Sequence, residues 1–403
     1  MQTIRRGNIA GNQRLVSKQR ARTTRLCPKA VPTPGVDKGF SILTWTGKLL
    51  PQSLLVSGVK ESWRLAWQTL VKELAPQDKT GAYVRPSYAM ELKGHAGDAK
   101  YPAESGRYHV YVGNACPWCH RVLLVLVLRG LLRRSSSGSP HVSFTIMEDD
   151  PTRARRGGWV FGADNPDPVW GAQDLWEVYD KAVPGFQGRC TAPLLFDRKT
   201  KTLVSNESVD ILRFFNELHV SGCIDVDLQP AHLAAEMDVL NEQIYRTVNN
   251  GVYASGFATS QQAYDGAQHA LYQTLDQLEE RLGRHRFLLG DKITESDIRL
   301  LPTIARFDAV YAYTFKCTKH RISDYPRLSA WLHEMWQLQV EGSSLQVSTT
   351  LDVDAARRSY AGNLFPLNPS GIIPAGPTAA DLNLLPFAGP GLAVQDVTFA
   401  RSK

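Results

Sequence analysis

The run Cys116-Pro117-Trp118-Cys119-His120 carries the strongest chemical signal in this sequence. It follows Tyr108-His109-Val110-Tyr111-Val112, whose aromatic and β-branched residues suit a strand, and a Gly113-Asn114-Ala115 turn. Pro117 then stands in the first turn of a helix expected to run to Arg133, where its missing N–H costs no helical hydrogen bond. A thiol at that helix start meets the positive end of the peptide dipoles and unpaired N–H groups, both of which favour the thiolate. Thiolates attack sulfur, so Cys116 is placed for thiol exchange, with Cys119 as a possible second thiol. Two other chemistries share this spelling. Cys-x-x-Cys-His also attaches c-type haem, but the strand–turn–helix setting and the Pro-Trp between the cysteines argue against it. A zinc site wants a second ligand pair of comparable spacing; the sequence has none, and no metal is expected.

Two further runs fit a peptide thiol as the partner. In Thr191-Ala192-Pro193, the proline precedes a hairpin strand. A cis-proline there offers the backbone of Ala192 to an extended peptide; the alternative is a trans proline that opens an edge strand. Asn206-Glu207-Ser208 opens a helix. Its N–H groups and the Ser208 hydroxyl suit a carboxylate and Glu207 suits an α-ammonium, although an ordinary capped helix reads the same way. Glutathione's γ-glutamyl end carries both charges on one carbon.

The elements around these residues form a recognisable order. A second strand at Val142–Ile146 completes a βαβ unit, and Pro193–Phe196 with Thr202–Val204 reads as a hairpin leading into a helix near Glu207. That order, β-α-β then ββα, is thioredoxin-like. From Ala231 strand signals stop, and helices are expected at about 232–250, 261–283, 295–312 and 326–338. Thr294-Glu295-Ser296-Asp297 has the form of a capping box. The expected fold is an α/β thioredoxin-like domain at residues 107–222 followed by an all-α domain at 223–360. Residues 361–403 form a loop-rich tail, and residues 37–106 an extension whose Glu61–Leu74 stretch is helical. Glu148–Arg189 is too long for a plain connection and is expected to be functional.

Composition narrows the partners. The net charge of +7 is concentrated at the start, since residues 1–36 hold eight Arg or Lys and no acid. The remaining 367 residues are close to neutral, so no nucleic-acid face is expected. The longest apolar run, Val122–Leu128, is seven residues, against about 20 for a membrane span, so no membrane is expected either. An Arg-rich, acid-free start reads as an organelle transit peptide, here assigned to the plastid stroma, with mitochondrion and cytoplasm as alternatives. Six cysteines in 403 residues do not make a disulfide scaffold; Cys190, Cys223 and Cys317 read as small buried residues.

With these runs in view, the sequence resembles the glutathionyl-hydroquinone reductases, the xi-class glutathione transferases. The resemblance rests on the Cys116 run, Ser205-Asn206-Glu207-Ser208, Thr247-Val248-Asn249-Asn250-Gly251-Val252-Tyr253, Arg306-Phe307-Asp308-Ala309-Val310-Tyr311, Phe315-Lys316-Cys317 and Asn368–Pro374. It implies Cys116 as nucleophile, with Trp159 packed beside glutathione and Arg189 on the glycine carboxylate. It implies the Ala192 backbone and Pro193 along the peptide, and Glu207 and Ser208 on the γ-glutamyl group. Tyr253, Tyr311 and Tyr360 would line the hydroquinone pocket and take part in catalysis. Glutathione would be a co-substrate, with no bound cofactor, and the chain a homodimer. Cys119 departs from the Ala or Ser of many members, which opens dithiol chemistry, and Ala192 replaces a larger residue. The alternatives are an omega-like thiol transferase or dehydroascorbate reductase, and a noncatalytic ligand carrier on the same fold.

Overall fold

The computed structural model describes residues 51–86, 90 and 92–401; the basic segment 1–36 and Cys27 lie outside them. The described residues divide into two units between Trp63 and Arg64. The fold of the second begins with β1 (Tyr108–Gly113), buried at every position. β1 enters α2 (Pro117–Leu128), and β2 (Ser143–Asp149) returns parallel to β1. β3 (Trp159–Val160) edges β2, while β4 (Leu194–Asp197) pairs antiparallel with β1 and with β5 (Thr202–Ser205). The sheet order is β3-β2-β1-β4-β5. The expected thioredoxin-like order is therefore present, and α4 (Ser208–Glu217) packs with α2.

The helical part comes next as α5 (Ala234–Gln243), α6 (Gly251–Phe257), α7 (Gln261–Leu282), α8 (Glu295–Arg306), α9 (Pro326–Trp336) and α10 (Val353–Asn363). Asp297 accepts from the Thr294 N–H at 2.9 Å, as the capping-box reading expects. Among the described residues no helix is long and apolar enough to cross a membrane.

Several local expectations are corrected. α2 stops at Leu128, five residues before Arg133, because Gly130 takes φ +63°. Gly130 N–H bonds Val127 C=O and Leu131 N–H bonds Leu126 C=O, a Schellman closure that a residue with Cβ resists. The stretch 148–189 contains a helix that its polar composition does not announce, α3 (Leu175–Ala182), capped by Asp174, which accepts from Glu177 N–H. α10 is likewise absent from the expected helices; Asp352 caps it and only one face is buried. α1 (Gln52–Leu74) is longer than the expected helix, and of its apolar face only Val71 is fully buried. Its seam is Trp67 with Val71, one turn apart, and Trp67 Nε1 donates to Pro366 C=O at 2.7 Å. Leu65, Leu70 and Leu74 are exposed.

The helices expected to run straight through 232–250 and 295–312 instead contain π turns, at Ile244–Asn249 and Phe307–Tyr311. Each extra residue rotates the rest of the helix by roughly 100° about its axis, a device frequent at functional sites. Asn249 holds the first turn in place. Its Nδ2 donates to Arg299 C=O at 3.1 Å and Thr303 Oγ1 at 2.8 Å, and its Oδ1 accepts from Arg121.

Candidate active site

Cys116 caps α2 in extended backbone conformation, φ −75° and ψ 118°. Its Sγ accepts from Cys119 N–H at 3.4 Å and lies 3.7 Å from the Ala192 carbonyl oxygen. The side chain is half-buried, whereas Cys119 has no exposed surface. Burial opposes the Cys116 thiolate. Hydrogen bonds from the Cys119 thiol and from the Cys119 and Trp118 N–H groups, together with the Arg306 guanidinium, outweigh burial and bring the pKa down to about 7. Cys119 moves the other way: burial and its donation to Cys116 raise it well above the ordinary thiol value. The two cysteines are thus a thiolate and the neutral thiol that supports it.

Behind the thiol stands Arg306, fully buried at the end of α8. Its Nη2 donates to Asn114 C=O at 2.8 Å and its Nε to Ala115 C=O at 3.1 Å, which fixes the turn entering Cys116. Nη1 donates to Pro302 C=O and to His120 Nδ1, each at 3.0 Å. Because Nδ1 accepts, Nε2 carries the hydrogen and donates to Thr350 Oγ1 at 2.8 Å. Burial and Arg306 hold His120 well below its ordinary pKa, so it is neutral. In the sequence Arg306 stands out only as part of a run; its one signal is an arginine amid a helix facing the core.

On the other side of Cys116 lies a cavity of about 130 Å³, walled by Arg85, Trp118, Ala192, Pro193, Glu207 and Ser208. The Ala192–Pro193 bond is cis. Glu207 caps α4: its Oε1 accepts from Val209 N–H at 3.3 Å and from the Ser208 hydroxyl at 3.2 Å. Cys116, Ala192, Pro193, Glu207 and Ser208 are therefore brought together. Trp159 and Arg189 are not in this wall. Trp159 packs over Gly113, where a Cβ would fall 2.1 Å from its ring, and lines a neighbouring cavity of about 360 Å³ with Ala115, Asp149 and Ser359. Arg189 is exposed, three residues before Ala192.

The three tyrosines form one cluster. Tyr253 and Tyr360 hydroxyls lie 2.6 Å apart, and the Tyr311 ring stands 6.0 Å from Tyr253 and 5.8 Å from Tyr360. Phe315, from the Phe315-Lys316-Cys317 run, packs against all three. Burial raises all three phenols above their ordinary pKa, so each is a protonated donor at neutral pH. The Cys116 charge reaches Tyr253 and Tyr311, and Tyr311 lies in the π turn that directly follows Arg306. Among the described residues no group of three or more His, Cys, Asp or Glu is gathered to hold a metal.

A thioredoxin-like domain with a thiolate at its first helix, a cis-proline opposite and an all-helical domain behind defines a glutathione transferase fold. Residues 115–218 match the glutathione S-transferase N-terminal domain and residues 261–334 the C-terminal domain. The chain is 40% identical over 328 residues to the glutathionyl-hydroquinone reductase PcpF of Sphingobium chlorophenolicum, covering 80% of this chain and 96% of that one. The glutathione-bound structure of YqjG, a glutathione transferase homolog from Escherichia coli K-12, is 41% identical with TM-score 0.62, over 68% of this chain and 86% of that one. The glutathione-S-transferase Xi of Phanerochaete chrysosporium is 35% identical with TM-score 0.65, over 75% and 94%. This chain belongs to the glutathionyl-hydroquinone reductases, the Xi class of glutathione transferases.

Proposed function

We propose that the protein reductively removes glutathione from glutathionyl-hydroquinones. The Cys116 thiolate attacks the sulfur attached to the ring. The sulfur–carbon bond breaks, the ring carbon takes up a proton, and hydroquinone leaves a Cys116–glutathione mixed disulfide. A second glutathione thiolate then attacks the glutathionyl sulfur, releasing glutathione disulfide and the Cys116 thiolate. Glutathione supplies both electrons and is the co-substrate.

The observation that carries this reading is the half-buried Cys116 thiolate whose charge reaches Tyr253 and Tyr311 in the Tyr253–Tyr311–Tyr360 cluster. Sulfur exchange needs only the thiolate; releasing a ring carbon needs a proton donor and hydrogen bonds to ring oxygens, which protonated phenols supply. In this scheme Glu207 and Ser208 hold the γ-glutamyl group, and Ala192 with Pro193 the peptide. Trp159 flanks the glutathionyl sulfur, and Arg189 takes the glycine carboxylate at the exposed end.

Mass spectrometry of the protein treated with a glutathionyl-hydroquinone, without excess glutathione, tests the scheme. Glutathione bound through Cys116 is expected in wild type and absent in Cys116→Ser. An adduct that persists in Cys116→Ser and vanishes in Cys119→Ser overturns the assignment.

Cys119 beside Cys116 favours one second reading, thiol transfer or dehydroascorbate reduction of omega-like type at the same thiol. Faster turnover of dehydroascorbate than of a glutathionyl-hydroquinone would select it. Two parts of the proposal rest on sequence and resemblance: residues 1–36 direct import to the plastid stroma, and the chain acts as a homodimer.

A further inference from the structure

The geometry points to Arg85, from the extension before the thioredoxin-like part, as the residue that binds the α-carboxylate of glutathione's γ-glutamyl group. This rests on the proposed glutathione chemistry. The group to be held is an α-amino acid, with an ammonium and a carboxylate on one carbon, so its site needs an anion and a cation a few ångströms apart. The cavity beside Cys116 has one of each: Glu207 is its acidic wall residue and Arg85 its basic one.

No other side chain of this wall carries a positive charge. The Ser208 hydroxyl donates to Glu207, and the Asn206 amide donates to Thr191 Oγ1 at 3.1 Å. Nor do the nearby buried arginines, Arg121 and Arg306, line the cavity. Arg121 commits its Nη2 to Asn249 and to Arg299 C=O, and Arg306 is spent on Asn114, Ala115, Pro302 and His120.

Arg85 is also held in place before any ligand arrives. Its guanidinium stacks on the Trp118 ring at 4.1 Å, within the Cys116–Cys119 motif itself, two residues after Tyr83. Tyr83 pairs with Gln77, and its ring sits 5.6 Å from Phe257. Gln77 Nε2 donates to Phe257 C=O at 2.5 Å, and Thr259 N–H donates to Gly81 C=O at 3.0 Å. The 77–83 turn is thus fastened to the end of α6, and it delivers a planar, bidentate cation to a cavity whose anion comes from α4.

Calorimetry on the reduced full chain tests this with two peptides: glutathione, and γ-aminobutyryl-cysteinyl-glycine, which lacks only the α-carboxylate. For Arg85→Gln, glutathione Kd is expected to rise roughly 10- to 100-fold, the size of a lost charge-assisted hydrogen bond. Kd for the decarboxylated peptide is expected to match wild type, and Arg85→Lys to recover part of the glutathione loss. Arg85 is exposed, so its replacement leaves the fold intact, and equal melting temperatures check this. Wild-type glutathione affinity in Arg85→Gln, or the same loss for both peptides, overturns the assignment alone. A wild-type protein that binds neither peptide overturns the glutathione reading and the assignment with it.

Discussion

Arg306 Nη1 donates to His120 Nδ1 at 3.0 Å, and this contact decides what the histidine of the thiol motif can do. With Nε2 donating to Thr350, His120 is a neutral strut that offers no proton to the reaction. A histidine four residues after a nucleophilic cysteine invites assignment as its base. Here the base is unnecessary, because backbone N–H groups, the Cys119 thiol and Arg306 already favour the thiolate.

The thiolate itself sets a pH profile. With a pKa of about 7 for Cys116, alkylation by iodoacetamide should be half-maximal near that pH and level off above it, since only the thiolate reacts. Arg306→Gln removes both the charge and the fork that binds Asn114, Ala115 and His120 together. The midpoint should move up and stability should fall by about 3 kcal/mol, from buried acceptors left without donors. Stopped-flow alkylation against pH and a urea titration read the two effects; an unmoved midpoint refutes the electrostatic role of Arg306.

Cys119 supports the thiolate and stays protonated, so its removal should be felt first in that same profile. Cys119→Ala should raise the Cys116 midpoint and reduce sensitivity to oxidative inactivation, with hydroquinone release largely intact at millimolar glutathione. Bound glutathione holds its thiol in line for attack, whereas Cys119 is buried and neutral. A loss beyond ~100-fold in kcat, or ~2.7 kcal/mol of transition-state stabilisation, would mean that Cys119 resolves the mixed disulfide and the enzyme is dithiol.

The Tyr253–Tyr360 hydroxyl pair separates ring chemistry from sulfur chemistry. Tyr360→Phe should lower kcat for a glutathionyl-hydroquinone by roughly 100-fold, the lower end of what a positioned proton donor contributes. Iodoacetamide alkylation of Cys116 should be unchanged, because the phenol does not donate to Sγ. Equal slowing of both reactions would show that the tyrosine acts on the thiol.

Deleting residues 1–36 should leave kcat and KM for glutathione at wild-type values, because none of the assigned site residues belongs to that segment. A reporter carrying that segment should enter an organelle, the plastid by this reading. A uniform cytosolic signal refutes the targeting role without touching the chemistry.

Much of this protein is written in local sequence. Cys116-Pro117 after a β-branched strand encodes a thiol at a helix start, because Pro tolerates that position and the dipole does the rest. The hairpin after Pro193 and the Glu207-capped helix arise equally from alternation and capping, which act over a few residues. The identity of the class is legible in runs such as Thr247–Tyr253 and Arg306–Tyr311, but not the reason for them. Those runs overlap π turns, which the apolar periodicity of a straight helix does not announce. The end of α2 depends on Gly130, and α10 on a cap at Asp352 in a stretch with a weak pattern. What required the folded chain was everything made between distant segments. Arg306 reaches the Asn114 turn across 192 positions, Tyr253 meets Tyr360 across 107, and Arg85 meets Trp118 from a loop with no periodicity of its own. Such contacts form only when packing buries their polar groups together, where each hydrogen bond must be satisfied by whatever the tertiary structure brings within reach.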